Sequence, residues 1–462
     1  SNISNLSRHH LCVTPAQFGS AVLGLVKAVV EGGHIDSTVR QQAPDYVEAL
    51  SHAVQPLSWD ELALRTGGSR DAFAQMAASL AKGRRVVVLA GQTLLRSQGA
   101  FGTCLNLLDL LLVTGKLTEA GCGFAPLAEE NNDQGTVEMG AVTELLPGAL
   151  DLGNPDARTQ IARAWKEELP SATGATLVEM IDRAQAGIIK GLFIVGENPV
   201  GSLPAQTKSK EALSKLDLLV CQELFLTETA RLAHVVFPAA SAMEKSGTFT
   251  NTEGHVQAVR PAINPVGDSR PDWEILSAVS VFLNAPLEYG ESKEILKEIR
   301  SIIPGYGSLG PTPIQPAVDR AAVARYVAGG YRQGLATRYT LASRTTRAEG
   351  TVQLELTQSL FHSGKLSTHS KGLLQIEPGG FLQMNPEDAA KFAVGTGDRV
   401  CLSNNRGEFT TTVKVLDRVP EGLAWLPDHF AQDALQLFDC VIDPDTKVPS
   451  CRTTSVAVMK AT

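Results

Sequence analysis

Gly187-Ile188-Ile189-Lys190-Gly191-Leu192-Phe193-Ile194-Val195-Gly196-Glu197-Asn198-Pro199 is the stretch on which the fold turns. From Ile188 to Val195 it is nearly continuous apolar sequence, and Gly196 closes it in a polar turn. Strands covered on both faces lose polar alternation, so the run predicts a buried strand of a parallel sheet over 188–195. Three more runs read the same way. They are Arg84 to Gly91, Leu216 to Cys221 (followed by Gln222-Glu223), and Val235 to Phe237 (followed by Pro238).

Helical periodicity lies around them. In Gln17 to Glu31, Phe18, Val22, Leu25, Val26 and Val29 recur every three or four residues before Gly32-Gly33 stops the pattern. Asp71 to Leu80, Ser209 to Lys215 and Thr227 to Ala233 also read as helices. Strands alternating with helices imply α/β architecture: doubly wound parallel-sheet layers with right-handed crossovers, whose ligands sit beyond the carboxyl ends of the strands.

From Ala285 to Ala348, prolines and glycines such as Pro304, Gly305, Gly307, Gly310, Pro311 and Pro313 crowd together, which reads as a connecting segment. Beyond it come short strands at Val352–Leu356, Arg399–Ser403, Glu408–Leu416, Leu423–Leu426 and Ser455–Met459. One helix opens among them, with Asn385 as N-cap and Pro386 at its first position. The tail therefore predicts a β-barrel. The expected organisation is an α/β part over 1–284, a connection over 285–350 and a barrel over 351–462.

Composition narrows the function classes. The 462 residues are 43% hydrophobic and 19% charged, with 41 glycines, enough apolar sequence for two or three packed domains. A net charge of -8 argues against a nucleic-acid surface, which needs clustered Lys and Arg. The longest apolar runs, such as Leu105 to Val113, fall short of the roughly 20 residues that span a bilayer. Ser1-Asn2-Ile3-Ser4-Asn5-Leu6 has neither the basic nor the apolar region of a secretory signal, and no initiator Met. Seven scattered cysteines, of which Cys440 and Cys451 are the closest pair, lack cluster or zinc spacing. They read as buried, inert thiols in a reducing cytosol, and no metal ligand is expected in the chain.

Three stretches together resemble the molybdopterin oxidoreductase superfamily. One is Gly187 to Pro199. The second holds Gln222-Glu223-Leu224-Phe225-Leu226-Thr227-Glu228-Thr229-Ala230, then Ala233 to Ala240 and Glu244-Lys245-Ser246-Gly247-Thr248-Phe249-Thr250-Asn251-Thr252-Glu253-Gly254-His255-Val256-Gln257, and closes on Arg270-Pro271-Asp272-Trp273. The third is Leu382 to Pro427, similar to the family's C-terminal dinucleotide-binding barrel of double-psi type. The wording is nearest to the large peripheral subunit of respiratory complex I, the G subunit of NADH-quinone oxidoreductases: Gly135-Thr136-Val137-Glu138-Met139-Gly140-Ala141 is similar to both that subunit and formate dehydrogenases, and Phe361-His362-Ser363-Gly364-Lys365-Leu366-Ser367 leans toward the complex I subunit. Formate dehydrogenase catalytic subunits come next.

The resemblance implies a scaffold in a larger redox assembly, with NADH-oxidising and iron–sulfur subunits as partners and a location in the cytoplasm or peripherally on the cytoplasmic face of the inner membrane. It implies iron–sulfur clusters in a preceding N-terminal part or in partner subunits, and none in this chain. The chain is expected to begin in mid-domain, and not to fold or turn over alone. The alternative is the cofactor-binding half of a molybdenum or tungsten enzyme such as a formate dehydrogenase, holding molybdopterin guanine dinucleotide. Its site would then draw on Gly196, Glu197, Asn198, Gln222, Glu223, Thr248, Thr250, Asn251, His362, Ser363 and His429, converging on one cleft. In a vestigial cleft, side chains such as Glu197, Glu223 or Arg260 should fill the space. The lone histidines His255, His362 and His429 lack the nearby partner that acid–base catalysis requires, and no catalytic residue is expected.

Overall fold

The computed structural model describes residues 2–461 apart from 118, 205, 304–305, 307–334, 342–347, 363 and 444–445. The chain forms two compact units: Ser1–Glu129 with Gln315–Thr346 and Ile442–Ser450, and Glu130–Ile314 with Arg347–Val441 and Cys451–Thr462.

The first unit is built on helix α1 (Phe18–Glu31), whose Leu23, Val26 and Val29 are buried against α2 (Arg70–Lys82) and α3 (Ala100–Val113). Gly24 permits this approach, since a Cβ there would stand 2.9 Å from the Phe73 ring. Beside the helices, β1 (Val87–Ala90) pairs in parallel with β2 (Gly123–Pro126), a strand that the sequence pattern does not announce. Leu335 and Tyr339, from the proline- and glycine-rich part of the chain, are buried in the same core. Asp109 is fully buried there, accepting from Tyr46 Oη (2.6 Å), Arg338 Nη2 (3.0 Å) and Tyr339 Oη (3.1 Å).

In the second unit, β3 (Gly191–Val195), β4 (Leu218–Glu223) and β5 (Val235–Pro238) form a parallel sheet with β4 in the middle. Helices α4 (Leu177–Gln185) and α5 (Gln206–Ser214) cover one face, burying Ile181, Ala184, Ala212 and Leu213 on Leu219 and Cys221. The other face corrects the expectation of strands buried on both sides: Phe193, Val195, Leu218 and Val235 are exposed, as are Val87 and Leu89 on β1. An apolar run records that no residue is polar, not that both faces are covered. Thr227 to Ala233, expected as a helix, is reduced to a 3-10 turn at Ala230–Leu232. Within the segment read as a connection, Ser292–Ile302 is an α-helix.

The same unit ends in a closed barrel of β6 (Thr351–Thr357), β7 (Leu382–Met384), β8 (Arg399–Asn404), β9 (Gly407–Val415), β10 (Leu423–Pro427) and β11 (Thr453–Lys460), in the order β6-β10-β7-β9-β8-β11. Parallel and antiparallel pairs mix, with β6 parallel to β10 and antiparallel to β11. Val352, Leu354, Leu382, Met384, Val400, Leu402 and Ala424 fill its interior. Asn385 caps the helix Pro386–Lys391 as its sequence implies, accepting from Glu387 N at 2.8 Å. β7, three residues long, is the barrel strand that the pattern misses.

The cysteines differ from expectation. Cys440 and Cys451 are joined in a disulfide. Of the five free thiols only Cys221 is buried, and Cys12 is exposed. Sequence spacing cannot report that Cys440 and Cys451 stand at the neck of a hairpin, Val441–Ile442 against Pro449–Ser450, which brings their backbones together.

Candidate functional site

The carboxyl edge of the β3-β4-β5 sheet carries the turn after β3. Gly196 there has φ +63, the left-handed region that glycine enters without strain, and its N–H donates to Gln222 O at 2.9 Å. The turn presents Glu197 and Asn198. Glu197 Oε1 accepts from Ser202 Oγ at 2.9 Å. Asn198 is held on both ends: Nδ2 donates to Glu228 Oε2 (2.8 Å), and Oδ1 accepts from Thr229 Oγ1 (2.7 Å) and Thr229 N (3.2 Å). Glu228 is further held by Gln432, whose hydrogen bond is the largest influence keeping its carboxyl below the ordinary range.

The barrel meets this edge through the strap from Ser359 to Ile376. Lys365 Nζ donates to the Gly201 carbonyl, and Asp428, Glu197 and Glu228 lie within its electrostatic reach. His369 stacks on Phe225 with ring centroids 3.9 Å apart, and Gln206 Nε2 donates to Gln432 O at 2.7 Å. Within the strap, His362 is buried between Ser367 Oγ (3.0 Å) and Glu377 O (3.1 Å). His429 Nε2 accepts from Ser359 N at 3.0 Å. Asp428 Oδ1 lies 3.0 Å from His429 Nδ1, off the line of a hydrogen bond, while its Oδ2 pairs with Arg452 Nη2 at 3.0 Å. Burial holds His429 below the usual histidine range, against the pull of Asp428.

Gly196, Glu197, Asn198, His362 and His429 are therefore brought to one region, where the sheet edge and the barrel meet. The other expected residues are placed differently. Gln222 turns to Asp272 (2.7 Å), which also pairs with Lys245. Glu223 folds back onto Leu224 N at 2.7 Å. Thr248, Thr250 and Asn251 belong to a hairpin, Gly247–Thr250 against Val256–Val259; Thr250 N donates to Asn132 Oδ1, and Asn251 Oδ1 accepts from Glu253 N and His255 N. Ser363 lies outside the described residues. Arg260 is exposed, and of the three residues expected to fill a vestigial cleft only Glu197 meets the barrel's charges. Sequence reading passed over Lys365, Thr229, Asp428 and Gln432, which make the junction. Lys365 and Glu228 stood inside the quoted motifs, but nothing in a linear motif pairs them.

A model of the molybdopterin oxidoreductase family matches residues 6–282, and one of the molydopterin dinucleotide binding domain matches residues 357–455. The chain belongs to the molybdopterin oxidoreductase family. Among its relatives, NADPH-Fe(3+) oxidoreductase subunit alpha of Geobacter sulfurreducens is 32% identical over 93% of this chain and 49% of that protein. The G 2 subunit of the NADH-quinone oxidoreductase of Rhizobium meliloti is 33% identical over 79% and 42%. F420-dependent formate dehydrogenase subunit alpha of Methanocaldococcus jannaschii is 26% identical over 97% and 69%. The chain spans about half the length of the first two. Acetylene hydratase from Pelobacter acetylenicus shares the fold, with a TM-score of 0.71 at 14% identity over 98% of this chain and 72% of that one. No described helix is long and apolar enough to cross a membrane.

The family implies a pterin dinucleotide, and the residues at the junction do not fit one. Glu197, Glu228 and Asp428 act on Lys365, Asp428 also pairs with Arg452, and Glu377 acts on His429, so four carboxylates stand against two cations. A pyrophosphate brought into that field would add negative charge to negative charge. The side chains of Asn198, His362 and His429 that would recognise a base or sugar are already bonded to the protein's own atoms, whereas Gln222 Oε1, Thr250 Oγ1 and Asp428 Oδ1 are buried without a hydrogen-bond partner.

Proposed function

We propose that this chain is part of the large peripheral subunit of an NADH-quinone oxidoreductase of the complex I type, serving as a scaffold around electron transfer from NADH to quinone. The observation that carries this reading is the net-acidic junction around Lys365, Glu197 and Glu228, where the lysine already takes the Gly201 carbonyl. Such a junction joins two parts of a fold and leaves little for a polyanionic cofactor to hold. On this reading 1–284 is the α/β part, 285–350 the connection and 351–462 the barrel. Iron–sulfur clusters belong to a preceding part of the polypeptide or to partner subunits, and the partners are NADH-oxidising and iron–sulfur subunits at the cytoplasmic face of a membrane.

A second reading is supported by the match of residues 357–455 to a dinucleotide-binding domain and by the formate dehydrogenase relatives. It makes the chain the cofactor-binding half of a molybdenum or tungsten enzyme, with Gly196, Glu197, Asn198, Gln222, Glu223, Thr248, Thr250, Asn251, His362, Ser363 and His429 as candidate contacts. Metal and pterin analysis of the purified native complex decides between the two. The scaffold reading expects iron without stoichiometric molybdenum or tungsten. A stoichiometric metal together with a pterin would replace it with the second.

A further inference from the structure

We infer that Lys365 is a built-in cation occupying the carboxylate-lined edge of the β3-β4-β5 sheet, and that its charge fastens the strap Ser359 to Ile376 over that edge. The inference rests on the scaffold reading, because it assigns to a side chain of the protein the place where an open α/β sheet otherwise receives a ligand.

An ammonium group offers three donors and no acceptor, so it must be met by oxygen atoms wherever it leaves water. Here the Gly201 carbonyl accepts from it, and the charges of Asp428, Glu197 and Glu228 reach it from the junction. Lys365 is half-buried, and burial disfavours its charged form while those carboxylates favour it. The base edge of a guanine would present donors to the same carboxylates, which is why the lysine and a nucleotide compete for one set of partners.

On its barrel side the strap is held by polar contacts, Ser359 N to His429 Nε2 and His362 Nε2 with the Glu377 carbonyl. Its Leu360, Leu366 and Ile376 are exposed, and His362 is the buried side chain along it. Apolar burial therefore contributes little. Attachment to the α/β side comes from Lys365 and from the stack of His369 on Phe225. Segments of few apolar contacts open locally at low free energy, so removing one charged contact should be visible in this segment and at the turn it touches.

Hydrogen exchange on the complete native complex tests this, comparing wild type with Lys365→Met and Lys365→Ala. Lys365→Met keeps most of the aliphatic stem. It is expected to speed exchange across residues 359–377 and at Pro199–Ser202 by about tenfold or more, as loss of a charged hydrogen bond implies, with barrel strands β6 and β8 unchanged. Lys365→Ala should do the same and recover protection on addition of propylammonium, but not of 1-propanol. Wild-type protection in Lys365→Met, or equal rescue by the alcohol, would show that packing and not charge holds the strap. Should either variant fail to assemble, Glu197→Gln with Glu228→Gln reads the contact from the other side: faster strap exchange supports the inference and unchanged exchange overturns it. The readout does not depend on metal content, so molybdenum in the complex would defeat the functional reading and leave the exchange result to judge the lysine separately.

Discussion

Asn198 and Glu228 stand 30 residues apart in sequence and 2.8 Å apart in space, the amide Nδ2 donating to carboxylate Oε2. That contact ties the turn after β3 to the loop after β4 across the carboxyl edge of the sheet. Asn198 closes the knot through its oxygen, which takes both the hydroxyl and the N–H of Thr229, a fully buried residue.

Asn198→Ala would strand the Thr229 hydroxyl and leave Glu228 with one fewer donor. Loss of a bonded buried partner costs roughly 1–3 kcal/mol, so the urea midpoint of the unit that holds the barrel should fall accordingly. Asn198→Asp keeps the acceptor but sets a second carboxylate against Glu228, and should also destabilise. If both variants matched wild type, the amide would be an ornament of the turn.

Asp109 in the first unit makes a sharper case. It is fully buried and faces three donors, with Arg338 as its counter-ion. Burial pushes its carboxyl up from the usual value, while Tyr46, Arg338 and Tyr339 draw it down. Removing one partner of a buried pair typically costs about 3–5 kcal/mol. Asp109→Ala should lose an amount of that order in chemical denaturation, and Asp109→Asn less, because the amide oxygen still accepts.

How far the sequence could carry the reader differs from element to element. The core of the sheet was readable because Leu192 to Val195 and Leu218 to Cys221 have no polar residue to mark an exposed face. That same property hid the uncovered face at Phe193, Val195 and Leu218. Asn385 with Pro386 announced its helix, since capping is local chemistry between neighbours. The junction could not be read so directly. Lys365 meets the Gly201 carbonyl across 164 residues, and Gln206 meets Gln432 across 226, distances over which no spacing rule operates. Of the expected site, the turn residues Glu197 and Asn198 and the histidines His362 and His429 came together, whereas the Gln222 amide nitrogen turned to Asp272 and Thr250 lies in a separate hairpin.

Glu355 on β6 should make barrel stability depend on pH. Its carboxyl is buried with Oε1 lacking a partner, and desolvation raises it to about 7, only partly opposed by a hydrogen bond from Trp425. A carboxyl raised above its unfolded value binds its proton more tightly when folded. Its stabilising contribution is thus present below about pH 4.5 and lost as pH rises through 7. At about 1.4 kcal/mol per unit the loss is about 3 kcal/mol. Glu355→Gln should therefore raise the urea midpoint near pH 8 and leave it almost unchanged near pH 5. An equal effect at both values would mean that the carboxyl is not the titrating group.

His429 should act in the opposite sense. Burial lowers its pKa from 6.5; the field of His362, and that of Arg452, lower it further, while Asp428 and Glu377 oppose them. A histidine lowered on folding takes up protons more readily in the unfolded chain, so stability is intact above about pH 6.5 and falls as pH drops from there towards the folded value. The structural reason is visible in the bond from Ser359 N–H to Nε2: protonation turns that acceptor into a donor, and the N–H at the start of the strap is left facing it. His429→Gln retains an acceptor and cannot titrate, and should flatten the pH dependence of strap exchange between about pH 5 and 7. Direct titration of the His429 ring by NMR is the check, and a midpoint at or above 6.5 would remove the basis of the prediction.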